Sequence, residues 1–256
     1  MDLLKQIPRR QRRDDERNAG LDFLNALSSR KMNWKHFRHL PWIDTRARFV
    51  DRTPVGGSLL YIGSSEGETL GHFAELRPDV KLFATDLAGS PEKYPPGCAF
   101  HRGDIQKDPL PWPAGCMDSI ACIHLVEHLT SLGFLFAEAA RLLKPGGRIF
   151  IETPHVKTVA LQSLPGAWAG TFPMSFYDDL THTKPVATGV LAHGARHNGF
   201  KILSTGISRN WFFAASYLFL WPTPPSRKKY TAKLHCLGWS AFLIAERLKA
   251  TGPEAN

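Results

Sequence analysis

Short apolar runs alternate with stretches of helical periodicity along most of the chain. Leu59-Leu60-Tyr61-Ile62 is apolar, carries aromatic and branched residues, and ends at Gly63, which suits a buried strand. Ser64-Ser65-Glu66-Gly67 makes a small-residue turn, and an amphipathic helix is expected through Glu75. Val80 to Asp86 predicts a second strand. Ala99 to His101 predicts a short third after the turn at Pro95-Pro96-Gly97, and Asp118 to Ile123 a fourth. Phe134, Leu135, Ala139, Leu142 and Leu143 recur at helical spacing until Lys144-Pro145-Gly146-Gly147 ends the helix, and Arg148 to Glu152 is the fifth strand. A helix ending at Gly199, a strand Phe200–Thr205 and a last strand Ala241–Glu246 complete the pattern. Strands separated by helices or loops predict a parallel, doubly wound α/β sheet.

Two regions stand outside this alternation. Residues 1–50 are expected to form a basic helical extension, with apolar positions Leu21, Phe23, Leu24 and Leu27 and an aromatic segment from Trp34 to Trp42. Residues 51–256 form the ligand-binding domain, interrupted by an insert at 210–237. Within it Trp211–Trp221, WFFAASYLFLW, is nearly devoid of polarity and is followed by Arg227-Lys228-Lys229 and Lys233. Eleven helical residues span about 16 Å, roughly half a bilayer core, so the run is too short to cross a membrane. A core helix at the sheet edge and a segment lying in a membrane interface through 211–233 both remain open.

The 256 residues suffice for one such domain with additions. The formal net charge of +9 is uneven: residues 1–50 carry +6, 51–221 carry −1 and 222–256 carry +4. The basic character belongs to the two ends, not to the body. Four cysteines without paired spacing, and an N-terminus lacking the apolar core of a signal peptide, are expectations for a cytoplasmic protein with reduced thiols.

The candidate chemistry gathers around the first turn. A glycine-rich turn between strand and helix lets a ligand approach the backbone and meet free N–H groups. Ser65 and Glu68 stand where the dinucleotide fingerprint has its second and third glycines, so that motif is absent. Asp86 lies 23 residues past Gly63, near the interval at which an acid meets ribose hydroxyls. His124-Leu125-Val126-Glu127-His128 formally matches the zinc-peptidase pattern H-x-x-E-H, but at a strand exit the two histidines need not share a face.

The Gly63–Gly67 turn resembles motif I of the class I S-adenosylmethionine-dependent methyltransferases. Asp118 followed by HLVEHL, then Glu138, Arg141-Leu142-Leu143-Lys144-Pro145-Gly146-Gly147, is similar to the small-molecule, ubiquinone-biosynthesis-like group, as is Asp179-Leu180-Thr181-His182 before Gly199-Phe200. The resemblance covers about Leu59 to Glu246. It implies a Rossmann-like, mostly parallel seven-stranded sheet with the last strand antiparallel. It also implies S-adenosylmethionine as cofactor, S-adenosylhomocysteine as product, and cofactor contacts from Gly63, Ser64, Ser65, Gly67, Asp86, Leu87, Asp104, Ile105 and His124. Two departures stand out. Tyr61 replaces the acid that supports the cofactor's methionine amino group, and Ser65 replaces a glycine.

The sulfonium is already a strong methyl donor, so the protein's task is to place a nucleophile in line. A hydroxyl acceptor benefits from a base, and His182, His155 and His128 are the candidates. Some relatives bind a divalent ion through E-x-x-E-H at this place. Here His124 replaces the first Glu, and no residue is assigned as a metal ligand. HLVEHL, where base-methylating enzymes carry N/D-P-P-Y, argues against nucleic acid. The expectation is a methyltransferase acting on oxygen of a small-molecule, lipid-linked or saccharide-linked acceptor. The alternative is a catalytically degenerate methyltransferase fold that binds or scaffolds; oligomeric state is not legible.

Overall fold

The computed structural model describes residues 39–164 and 172–249. The helix expected over Leu21–Leu27 and the first part of the aromatic segment lie outside the described residues, while the end of that segment is a single 3-10 turn, Pro41–Ile43, with Trp42 exposed. Seven strands form one sheet in the order β3-β2-β1-β4-β5-β7-β6. They are β1 Ser58–Ile62, β2 Lys81–Asp86, β3 Ala99–Arg102, β4 Met117–Ile123, β5 Leu143–Pro154, β6 Phe200–Ser208 and β7 Ser240–Arg247. The pairs among β1 to β5 are parallel, and β7 is antiparallel to both β5 and β6. The ends of β1, β2, β4, β5 and β6 therefore share one edge with the start of β7.

Around the sheet lie α1 Thr45–Asp51, α2 Glu68–Leu76, α3 Gly133–Leu142, α4 Thr188–His197, α5 Trp211–Leu220 and α6 Arg227–Leu237. Strand alternation divides the apolar runs between two cores. Leu60, Ile62, Ile120, Cys122, Ile149 and Ile151 meet the helix residues Leu135, Phe136 and Leu191. On the other face Leu59, Tyr61, Ala121 and Phe150 meet Phe49, Val50, Leu70 and Phe73. Both faces of the central strands are covered, which is why those strands read as continuous hydrophobic runs.

Two boundaries differ from the sequence expectation. β5 begins at Leu143, five residues early, because Leu143 pairs with Met117 before an irregularity restores the register at Ser119 and Arg148. The boundary expected after residue 50 falls inside α1, since Phe49 and Val50 pack on the sheet and Asp44 bridges to Asn210. The 210–237 insert holds the helix expected over the apolar run, Trp211–Leu220, and a second helix, Arg227–Leu237, that the sequence reading did not assign. Glu138 and Arg141 hold the loop into β4: Leu110 N–H donates to Glu138 Oε1 at 2.7 Å, and Arg141 donates to the Trp112 and Leu110 carbonyls at 2.8 and 2.9 Å.

Candidate active site

The turn after β1 has its shape set by backbone geometry. Gly63 and Gly67 have φ of 80° and 79°, and Ser65 between them has φ of 47°. A non-glycine residue costs about 1–2 kcal/mol in that left-handed region, which is the physical reason for a glycine where Ser65 stands. A Cβ on Gly67 would overlap the Tyr94 ring. That ring is a support: the Tyr94 hydroxyl donates to the Ser65 carbonyl at 2.8 Å and lies 2.8 Å from Ser64 Oγ. Gly63 and Ser64 N–H both donate to the Thr85 carbonyl, at 2.9 and 3.2 Å, tying the turn to the end of β2.

Asp86 closes that end. Its Oδ2 accepts Ser65 N–H at 2.7 Å, and its Oδ1 accepts Ala88 N–H at 2.9 Å and, at 3.3 Å, Gly89 N–H. A carboxylate offers about four acceptor sites, so one remains on Oδ2 and the long Gly89 contact is the weakest of the three. Leu87, beside it, is 68% exposed and offers an apolar platform. Asp104 accepts Gln106 N–H at 3.0 Å and pairs with Lys107 at 3.1 Å, contacts that lower its pKa; Ile105 is buried. An acid for a vicinal diol and an exposed apolar residue beside it fit the nucleoside half of S-adenosylmethionine.

The methionine half would meet a network centred on a residue that sequence reading assigned only to a strand. Glu152, at the end of β5, is 1% exposed. It accepts Arg46 Nε at 2.9 Å and Nη2 at 2.5 Å, and Ser208 Oγ at 2.6 Å, while His124 Nε2 stands 3.5 Å away. His124 leaves β4 with φ of 53°, lies with its ring tilted against that of Trp239 at 5.4 Å, and places Nδ1 3.2 Å from Glu127 Oε1. Burial alone would depress the His124 pKa, but Glu127 and Glu152 outweigh it and raise it to about 9. Burial alone would raise Glu152, yet Arg46 and His124 hold it well below its ordinary value. Asp44, whose carboxylate accepts Asn210 at 3.1 Å, is pushed up by burial to about 6. Tyr61 is buried, which raises its pKa to about 12, and feels both Arg46 and Glu152. The carboxylate missing at position 61 is thus present nearby as Glu152, already matched by a guanidinium.

The two histidines of H-x-x-E-H point to different neighbours. His128 turns away from the network, and its ring lies 4.8 Å from that of His182. Thr183 N–H donates to the Glu127 carbonyl at 2.8 Å and docks the DLTH segment on the loop after β4. His182 Nδ1 lies 2.6 Å from the Phe176 carbonyl, which only accepts, so Nδ1 carries a proton, and Nε2 stands 3.9 Å from Asp179 Oδ2. His128 Nδ1 faces the Thr181 carbonyl at 3.2 Å and Thr181 Oγ1 at 3.0 Å, and that hydroxyl donates to Asp179 Oδ1 at 2.6 Å. The same tautomer follows for His128. His155 differs: its Nδ1 accepts Lys157 N–H at 3.1 Å as a helix cap, and burial and Lys157 lower its pKa. The lone pair that a base needs is engaged there.

Glu127, His128 and His182 each offer an atom within 4.8 Å of the others, close enough to hold one ion. Glu127 is already used by His124 and by Thr153 Oγ1 at 3.0 Å. The Leu125 side chain lies 3.2 Å from where a Cβ on Gly63 would stand, so the turns after β1 and β4 adjoin. Sequence reading missed Arg46, Asp44, Ser208 and Asn210. The one available signal was an acid, Glu152, ending an apolar strand.

A family model described as "Methyltransferase domain" matches residues 34–205. Among curated proteins none matches the sequence. Several solved structures share the fold. The chain from a complex between the Haloferax volcanii Trm112 methyltransferase activator and a putative methyltransferase is 15% identical, with TM-score 0.56, covering 86% of this chain and 100% of that one. An S-adenosylmethionine-dependent methyltransferase from Mesorhizobium loti is 16% identical, TM-score 0.56, covering 84% and 100%. Geranyl diphosphate C-methyltransferase from Streptomyces coelicolor A3(2) is 12% identical, TM-score 0.53, covering 78% and 77%.

Proposed function

The chain belongs to this methyltransferase-domain family, and we propose that it transfers a methyl group from S-adenosylmethionine to oxygen of a small-molecule, lipid-linked or saccharide-linked acceptor. The observation that carries the oxygen reading is the adjoining His128–His182 pair, in which each Nδ1 is turned to a backbone carbonyl and Nε2 is the nitrogen left to serve an acceptor. An alcohol or phenol must lose a proton as its oxygen attacks, whereas a thiolate or free amine needs little help. A positioned base contributes about 10²–10⁴-fold to such a step. His128 would meet the acceptor; His182, held by Phe176 and Asp179, would orient it or share the proton.

The methyl donor supplies an activated carbon, and the chain's residues hold it. Gly63, Ser64, Ser65 and Gly67 shape the turn that receives it. Asp86 and Leu87 take the ribose and one face of the base, and Asp104 and Ile105 border the adenine. His124, kept cationic by its two carboxylates, would balance the methionine carboxylate. Calorimetry with S-adenosylhomocysteine tests the reading. Asp86→Ala should weaken binding by about 1.5–3 kcal/mol, the loss of a charged hydrogen bond; unchanged affinity would refute the assignment.

Tyr61 and the satisfied Glu152 favour a second reading, a degenerate methyltransferase fold that binds or scaffolds. Wild type that binds no S-adenosylhomocysteine at high micromolar concentration would select it.

A further inference from the structure

From Leu180 to Ala245 the chain has 66 consecutive residues without Asp or Glu, and they carry eight Lys and Arg: Lys184, Arg196, Lys201, Arg209, Arg227, Lys228, Lys229 and Lys233. Five of these, Arg209 and the four on α6, flank or follow α5. Only Phe213 and Ala214 of α5 are buried. Trp211, Phe212, Ala215, Leu218 and Phe219 fall within an arc of about 120° at 100° per residue, directly opposite the packed side. Trp211, Phe212, Leu218 and Phe219 are 60, 56, 75 and 80% exposed, and Trp221 at the helix end is 68% exposed. A soluble helix normally turns polar residues outward; this one is apolar all round.

We infer that α5 and α6 form a docking surface for an anionic lipid bilayer, with the exposed arc of α5 entering the interface and the α6 cations meeting the headgroups. Tryptophan at both ends of a short apolar run, beside basic residues and within a stretch of sequence free of Asp and Glu, matches the chemistry of that interface. Charge complementarity selects this occupant: a second copy would bring the same positive face against itself. Lys229 donates to the Trp221 and Thr223 carbonyls at 2.7 and 2.6 Å, so that cation is held at the end of the apolar run. The base of the pair is rigid as well. Asn210 caps α5 through Phe213 N–H at 3.0 Å, donates its own N–H to His235 Nδ1 at 3.0 Å and reaches Asp44 at 3.1 Å. It thereby joins the Arg46–Glu152 network at the edge of the sheet. Docking would bring that edge to the membrane, and delivery of a lipid-linked acceptor there rests on the transfer reading above; the docking itself does not.

Vesicle flotation of the full chain tests it. Wild type should float with phosphatidylcholine vesicles containing phosphatidylserine and not with phosphatidylcholine alone. Its partition should fall about tenfold or more between low and high salt. Leu218→Ser/Phe219→Ser/Trp221→Ser should abolish flotation, and Lys228→Glu/Lys233→Glu should reduce it about thirtyfold or more without touching the apolar arc. Both variants should bind S-adenosylhomocysteine as wild type does, which separates lost docking from a lost fold or a wrong cofactor assignment. Wild type that stays with the soluble fraction at low salt overturns the proposal. So does a dimer, seen by light scattering and dissolved by the triple substitution, in a chain that does not float.

Discussion

Arg46→Met removes one partner of the most buried ion pair of the site. Glu152 loses two charge-assisted hydrogen bonds, at 2.9 and 2.5 Å, and its side chain is 2% exposed against 23% for Arg46. Stranding a buried charge in this way costs about 3–5 kcal/mol. The low end applies here, because Ser208 still donates to Glu152 at 2.6 Å and His124 stands 3.5 Å away. About 3 kcal/mol corresponds to a fall of roughly 6–12 °C in Tm for a chain of this size. Urea unfolding at pH 7 is the assay, with m-values checked for unchanged compactness. Arg46→Met/Glu152→Met should recover most of the loss, since the stranded charge is gone. The pH dependence has a definite sign. Glu152 is held below its ordinary value of 4.5, so its contribution is present above that pH and lost as pH falls further. The difference between wild type and Arg46→Met should therefore shrink on acidification. An Arg46→Met protein within about 0.5 kcal/mol of wild type, the scatter of ordinary surface substitutions, would refute the reasoning.

Three further outcomes are expected. Gly67→Ala should destabilise by about 2–4 kcal/mol, combining left-handed strain with overlap on the Tyr94 ring, and Tyr94→Ala should relieve part of it in a double-mutant cycle. His124 is raised from 6.5 to about 9, so its stabilisation is complete below pH 6.5 and disappears as pH rises through 9; urea midpoints should show that decline in wild type and not in His124→Gln. His182→Ala should lower turnover with little change in S-adenosylhomocysteine affinity, and an equal loss on adding chelator to wild type would instead make Glu127, His128 and His182 ligands of an ion.

Local pattern determined the elements of this protein. Each central strand is buried on both faces, so its residues are apolar throughout and the run can be read without knowing its neighbours. Glycines at 63 and 67 mark the turn because only they take positive φ without cost, and the same property makes Ser65 a legible departure. Asp86 was legible from its interval to that turn. The pairing of elements is a different matter. Nothing local places β7 between β5 and β6, because antiparallel insertion is decided by which edge remains open after the parallel strands pair. Arg46 and Glu152 are 106 residues apart, and an arginine in a basic N-terminal stretch carries no mark of the carboxylate it will meet. His128 and His182 stood separately among eleven histidines until the DLTH segment docked on the loop after β4. The apolarity of α5 was plain from composition, but its lack of periodicity left its facing undetermined. Packing through Phe213 and Ala214, with Ser216, Tyr217 and Leu220 half-buried on the same side, decided that and turned Trp211, Leu218 and Phe219 outward.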